Sequence, residues 1–557
     1  MNICRERILS EEYRDFIVTP DIQFVDTECV IKTGFISEIA YVEKEKAEPI
    51  RFDRYPYYTI PKCYTLLDVQ AMNQAGIIQV QNYPTLELQG TGVLVGFIDT
   101  GIDYRNPLFR NIDGSTRIVS IWDQTIQSDI IPENLHYGTV YNANQIDEAL
   151  QSGNPLSVVP SMDENGHGTF LSSLAVGGAD EANQFVGAAP DSKIAIVKLK
   201  PAKKYLKDFY LIGTEEPCYQ ENDSMLGIVF LHQLAERLNL PLVICVALGT
   251  NMGSHAASSP LTGMIDILGN MANRSIVIGG GNEANQRHHY LGNSRNQTES
   301  VEVRVAENAS GFCMELWSGP LDIFAVSVVS PSGEQTYQFP LRSNQTQVYD
   351  FLLEGTRITI DYKVFVERLD AELVFFRFIN PTPGIWKILV EPVQVNSGIF
   401  HMWLPITEFL ENEVYFLKSN PDYTITEPGS SLTATTVAFY NGNDNSVDIR
   451  SGRGYTRTNR IKPDFAAPGV NVSGAGMNNQ YRTRTGSSIA TGITTGAVAL
   501  IMEWVVYRLQ QENIDSTQIR NLLVLGTVRR PNEIYPNREW GYGQLNVYNT
   551  FEVIRQI

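Results

Sequence analysis

The sequence predicts an α/β protein built on a parallel sheet flanked by helices, with a small α+β unit at the N-terminus and an inserted antiparallel β-sandwich. Three observations lead there. Several strand-length runs are apolar throughout, as in Gly92-Val-Leu-Val-Gly-Phe-Ile-Asp99, and a strand without a polar face belongs to a sheet covered on both sides. The segments between these runs carry helical spacing. From about residue 295 to 425 the pattern changes to short alternating strands separated by turn residues, which marks a sandwich.

In chain order, residues 1–65 form the first unit. Asp15-Phe-Ile-Val-Thr-Pro and Glu28-Cys-Val-Ile-Lys read as short strands, Ile39-Ala-Tyr-Val-Glu as a third, and Ile60-Pro-Lys as the exit. Residues 66–294 begin the α/β body. After the strand ending at Asp99 come Lys193-Ile-Ala-Ile-Val-Lys198, the run 242–248 and Ser275-Ile-Val-Ile-Gly279. A helix is expected over 224–239, with Leu226, Phe230, Leu234 and Leu238 on one face. Residues 295–425 are the insertion: Val301-Glu-Val-Arg-Val305 alternates strictly, and Thr356-Arg-Ile-Thr-Ile-Asp-Tyr, Gly384-Ile-Trp-Lys-Ile-Leu-Val and Gly398-Ile-Phe-His-Met-Trp continue the style. Residues 426–557 resume the body, with a strand at 432–438 and the loop Lys462-Pro-Asp-Phe-Ala-Ala-Pro-Gly469. A long apolar helix follows Thr485-Gly-Ser-Ser-Ile-Ala-Thr491, where Ala490, Ile493, Ala497 and Ile501 share a face and Gly492 and Gly496 stand a turn apart. Glycines are poor helix formers in water, so this pair points to a buried, closely packed helix.

Composition narrows the function. The chain has 557 residues and the apolar and charged fractions of a soluble globular protein. A net charge of −19 argues against nucleic acid or an anionic membrane surface as partner. Six cysteines (Cys4, Cys29, Cys63, Cys218, Cys245, Cys313) lack metal-type spacing, which favours a reduced compartment over a disulfide framework. Met1-Asn-Ile-Cys-Arg-Glu-Arg lacks the apolar core of a signal peptide, and no stretch reads as a membrane span, so an intracellular location is expected.

Four blocks carry chemistry. A serine hydroxyl needs a base to take its proton and a third group to orient that base. Ser488 opens the apolar helix, near free N–H groups and the positive end of the helix dipole, a place suited to an oxyanion. His167 sits between two glycines in Asn165-Gly-His-Gly-Thr and opens another helix. Asp99 ends an apolar strand in Phe97-Ile-Asp-Thr-Gly-Ile-Asp103, with Asp103 the competing carboxylate. Gly279-Gly-Gly-Asn-Glu-Ala284 follows a strand and offers the Asn282 carboxamide to a developing oxyanion. Taken singly, Ser488 reads as an N-cap, His167 as a structural histidine, and 279–284 as a turn. The loop Asn441-Gly-Asn-Asp-Asn-Ser-Val-Asp448 offers Asp444 and Asp448 to a cation, but it lacks an EF-hand pattern. It reads as a solvated loop. Structural calcium stays unassigned, and no cofactor is expected.

Together, and in the order Asp, His, Ser, these blocks resemble the motifs of subtilisin-like serine proteases (subtilases). The resemblance implies a serine endopeptidase whose triad is Asp99, His167 and Ser488, with Asn282 as the oxyanion donor. Leu248 and Gly249 would form the substrate-binding edge, which pairs with an extended peptide, and Gly280 the opposite wall of the pocket. Ala247 stands where the family usually has serine, and Ser487 where threonine is commoner. The first unit would be a prodomain that occupies the cleft and is removed by autoprocessing; an N-terminal cap that is never removed is the alternative. Asp103-Tyr-Arg-Asn-Pro-Leu-Phe109 and Asp113-Gly-Ser-Thr-Arg-Ile-Val-Ser-Ile-Trp-Asp123 look most like the clostridial Csp germination proteases. That likeness implies a jelly-roll insert, a spore-associated location and a cortex-hydrolase zymogen as protein substrate. Its rivals are a Csp-type pseudoprotease that senses germinants and an intracellular housekeeping subtilisin.

Overall fold

The computed structural model describes residues 3–19, 29–35, 37–66, 73–319, 321–339, 346–363, 366, 371–511 and 513–556. Its centre is a nine-stranded sheet. In spatial order it runs Ser446–Val447, Thr435–Asn441, Arg274–Gly279, Leu242–Val246, Leu94–Asp99, Lys193–Lys198, Ile118–Asp123, Thr139–Asn142, with Phe465–Pro468 also pairing the second of these. The interior pairs are parallel, and antiparallel pairing is confined to the two ends.

Side chains alternate across a strand, so each strand feeds two cores. Val95 and Phe97 enter one, with Phe170, Leu174, Ile489, Ile493 and Ala497 from the helices His167–Val176 and Ser487–Glu503. Leu94 and Ile98 enter the other, with Leu226, Phe230, Leu261 and Ile265 from Glu221–Leu238 and Pro260–Gly269. Both faces are covered, which is why these strands are apolar throughout. The Glu221–Leu238 helix starts one turn before the expected 224, at Glu221 and Asp223, carboxylates that suit the positive end of a helix. Gly496 is where the two site-bearing helices meet. A Cβ there would lie 2.3 Å from Ala188 Cβ and 2.6 Å from Ala175 O, so only glycine fits. By length and composition alone, Ser487–Arg508 could cross a membrane, contrary to the sequence reading. It is instead the central core helix, with 89% of its apolar window buried.

The insertion is two antiparallel sheets, and its first strand starts at His289, ahead of the expected boundary at 295. One runs His289–Asn293, Ile399–Trp403, Gly311–Ser318, Leu373–Ile379, Thr356–Lys363, Thr346–Phe351; the other Ile323–Val329, Gly384–Gln394, Glu299–Val305, Val414–Phe416. Val301, Val303 and Val305 point inward with Trp386, Ile388 and Val390, while the residues between them face outward.

At the N-terminus, the helix Ile3–Leu9 packs on a three-stranded antiparallel sheet in the order Tyr13–Val18, Glu38–Glu43, Val30–Lys32. Pro20 and Glu28, at the ends of two expected strand runs, lie outside the described residues. Cys4 and Cys29 form a disulfide within this unit, a departure from the reading of six reduced thiols; the two are 25 residues apart, a pairing with no local signature. The other four cysteines are free and buried. An apolar cluster joins this unit to both others: Phe52 packs edge-on against Phe375 of the insertion, and Tyr57 against Trp317.

Candidate active site

Each site residue comes from a place where regular structure begins or ends. Asp99 is the last residue of its strand and is 2% exposed. Its Oδ1 accepts from Thr100 N–H at 2.7 Å. His167 opens its helix after Gly166, whose φ of 83° lies in the left-handed region that favours glycine. His167 Nδ1 is 2.8 and 2.9 Å from the two oxygens of Asp99, and Nε2 is 3.2 Å from Ser488 Oγ. A Cβ on Gly168 would meet Gly101 O at 2.2 Å and Asp99 Oδ1 at 3.1 Å, so the residue after the histidine has to be glycine. Asp103, the competing carboxylate, is turned away and pairs with Arg105 at 2.8 Å.

Ser488 is the second residue of its helix and is fully buried. Gly486 before it has φ 152°, and its N–H donates to Gly469 O at 2.9 Å. Asn282 Oδ1 accepts from Ser487 N–H at 2.9 Å. With that oxygen engaged, the Nδ2 of Asn282 is the end left to donate, and it stands at the start of the serine helix, where the dipole favours negative charge.

The sequence reading missed Asp163. Buried four residues before His167, its carboxylate accepts from Gly166 N–H (2.7 Å), Thr169 N–H (2.8 Å), Thr169 Oγ1 (2.7 Å) and Thr100 Oγ1 (2.8 Å). It caps the histidine helix and ties it to the residue beside Asp99. A carboxylate just upstream of a helix start is the cap signal that could have found it.

The predicted substrate edge is occupied. Leu248 and Gly249 pair antiparallel with the strand Cys63–Leu66, Leu248 opposite Leu66 and Gly249 opposite Thr65. On its other side the same strand pairs with Tyr219–Gln220, Cys63 opposite Gln220. The last described strand of the N-terminal unit is therefore the middle strand of a three-stranded sheet across the site. Gly280 O accepts from Thr426 N–H at 3.2 Å. The Thr426 side chain fills the space between the two walls, since a Cβ on Gly249 or on Gly281 would come within 2.6 Å of it. Behind this edge, burial pushes the Glu427 carboxyl up to about 7, and Ser430 Oγ donates to it. In the candidate cation loop, Asp444 accepts from Ser446 N–H and Oγ, while Asp448 pairs with Arg450.

A sequence model of the subtilase family matches residues 90–364 and 411–543. The serine protease AprX of Bacillus subtilis is 32% identical over 153 residues, 24% of this chain and 33% of AprX. The mouse membrane-bound transcription factor site-1 protease is 26% identical over 137 residues, 24% of this chain and 12% of its own length. The chain thus spans a third or less of these relatives. The solved structure of the Clostridium perfringens CspB protease superposes with a TM-score of 0.77 at 30% identity, covering 87% of this chain and 98% of that one.

Proposed function

The chain belongs to the subtilase family of serine proteases, and from that premise we propose that it is an endopeptidase working through Asp99, His167 and Ser488. The single observation that carries this reading is the His167 ring, with one nitrogen 2.8 Å from Asp99 and the other 3.2 Å from Ser488 Oγ. In this mechanism Nε2 takes the proton from Ser488 Oγ as the oxygen attacks the scissile carbonyl. Asp99 holds the Nδ1–H tautomer and stabilises the imidazolium that results. Asn282 Nδ2 and the Ser488 N–H hold the oxyanion. His167 then protonates the leaving amine, and water resolves the acyl-enzyme.

The strand Cys63–Leu66 lies in the cleft as an extended peptide would, bonded on both edges. This supports the reading of residues 1–65 as a prodomain that occupies the cleft and is removed by autoprocessing. The 30% identity to the CspB protease over nearly its whole length supports a finer role: limited proteolysis of a cortex-hydrolase zymogen in spores.

Intact masses of the wild type and of Ser488→Ala test the first two steps together. The wild type is expected to split into an N-terminal fragment ending between Leu66 and Asn73 plus the remainder, and the variant to stay whole. If both stay whole and a fluorophosphonate leaves Ser488 unlabelled, the protease reading fails in favour of a sensor. A purified cortex-lytic zymogen left uncut by labelled-competent enzyme would remove the finer role, and broad casein digestion would replace it with a housekeeping one.

A further inference from the structure

Glu283 follows Asn282 and is 3% exposed, and the mechanism above gives it no part. Its Oε2 accepts from His288 Nδ1 at 2.7 Å and from Asn251 Nδ2 at 3.4 Å. Its Oε1 accepts from Thr407 Oγ1 at 3.1 Å and Thr407 N–H at 3.4 Å. These partners come from three parts of the molecule. Asn251 lies two residues past Gly249, just beyond the strand that pairs with Cys63–Leu66. His288 leads into the first strand of the insertion, His289–Asn293, and Thr407 follows the strand Ile399–Trp403. The two insertion segments are also joined to each other, since Leu404 N–H donates to His288 O at 2.9 Å. Asn251 Nδ2 reaches the same place, donating to Leu404 O at 3.2 Å.

A buried carboxylate is retained only where its oxygens are bonded, and removing partners from such a group leaves uncompensated charge or orphaned donors. Here both oxygens are engaged, and every bond crosses from the 279–284 loop to another segment. The neighbouring residue, Asn282, has its own side chain fixed to the serine helix through Ser487. One short stretch of backbone is thus held at Asn282 by the nucleophile's helix and at Glu283 by the insertion.

We propose that Glu283 is a positioning residue: by bonding His288, Thr407 and Asn251 it holds Asn282 at oxyanion-donating distance, and so makes the insertion a working part of the oxyanion hole. The inference rests on the protease reading. Catalysis depends on donors placed where charge develops, and a displacement of about 1 Å can lower the rate roughly 10²-fold. Loss of Glu283 therefore lowers kcat, whereas a merely stabilising ion pair would lower the melting point and leave the folded enzyme's kcat unchanged.

The test uses the full chain as wild type, Glu283→Ala, Glu283→Gln and Thr407→Val. Measured are kcat and KM on a fluorogenic peptide, and the affinities of a peptide boronic acid and of a matching unreactive peptide. In Glu283→Ala, kcat and boronate affinity are expected to fall together by roughly 10- to 100-fold, with KM and unreactive-peptide affinity within about twofold. Glu283→Gln should recover part of the loss, because its carbonyl still accepts. Thr407→Val, a change in the insertion, should lose about threefold in the same pattern and stands in if Glu283→Ala fails to fold. An unchanged kcat, or a rise in KM alone, overturns the proposal. Should the wild type prove inactive, the protease reading has failed, and crystal structures still decide this point. The proposal is overturned if Asn282 Oδ1 keeps its bond to Ser487 N–H in Glu283→Ala, and is supported if the 279–284 loop shifts.

Discussion

The α/β body and the inserted sandwich bury apolar side chains by different rules. Around the site, the strands Leu94–Asp99, Leu242–Val246 and Arg274–Gly279 are buried along their whole length. In the insertion, Glu299–Val305 and Gly384–Gln394 expose roughly every second residue. In the body, covered on both faces, strand ends and helix starts are places where backbone groups are free to bind polar side chains. Asp99, His167, Asn282 and Ser488 all stand at such places. The sandwich packs Val303, Trp386 and Phe378 into a core of its own, shares Trp317 and Phe375 with the N-terminal unit, and meets the 279–284 loop where His288 and Thr407 bond Glu283. The proposed reacting groups thus all come from the body, and the insertion holds the loop beside one of them.

That division can be broken at three levels. The largest effect belongs to Asp99→Asn. The amide offers a donor where His167 Nδ1–H needs an acceptor, which selects the wrong tautomer, and kcat should fall about 10⁴-fold with the fold intact. Steady-state peptide hydrolysis beside circular dichroism checks this; a loss under tenfold would sink the assignment of Asp99. Next comes Trp386→Ala in the sandwich core, where Trp386 is fully buried between Phe351 and Phe378. It should destabilise the insertion by about 3–5 kcal/mol, yet leave the rate of fluorophosphonate labelling at Ser488 unchanged below the melting transition. Slower labelling of still-folded protein would show that the sandwich core, and not only its ends, supports the site.

The smallest effect is a pH dependence. Burial pushes the Glu372 carboxyl in the insertion from 4.5 up to about 8, against the bond it accepts from Phe324 N–H. Between those values the folded protein keeps a proton that the unfolded chain has released, so the stability this group contributes is present below the unfolded value and lost as pH rises toward 8. Glu372→Gln is neutral throughout. Its urea midpoint should gain on the wild type from pH 5 to pH 8, by on the order of 3 kcal/mol at most, and the gap should level off above that. A gap that does not change with pH would show that Glu372 ionises normally.

Much of this was legible in the chain. Apolar runs identified the parallel strands, alternation identified the sandwich, and the glycines around His167 and before Ser488 marked positions where backbone comes unusually close. Asp163 carried a local cap signal toward Gly166 and Thr169 that went unread, but its tie to Thr100, 63 residues away, and the tie of Glu283 to Thr407, 124 residues away, join segments with no shared periodicity. The same holds for the Cys4–Cys29 disulfide and for the strand Cys63–Leu66, whose local pattern says strand and nothing about which edge it joins.

By itself, the sequence determined the elements and their chemistry. Periodicity, caps and glycines act over a few residues, and the reacting groups sit at element ends that such signals mark. Only the tertiary structure decided which carboxylate faces His167, which strand pairs with Leu248 and Gly249, and how the insertion grips the loop that carries Asn282. Those are choices among hydrogen-bond partners distant along the chain. They are made when burial strips water from polar groups and each must find a partner among whatever the fold has brought near.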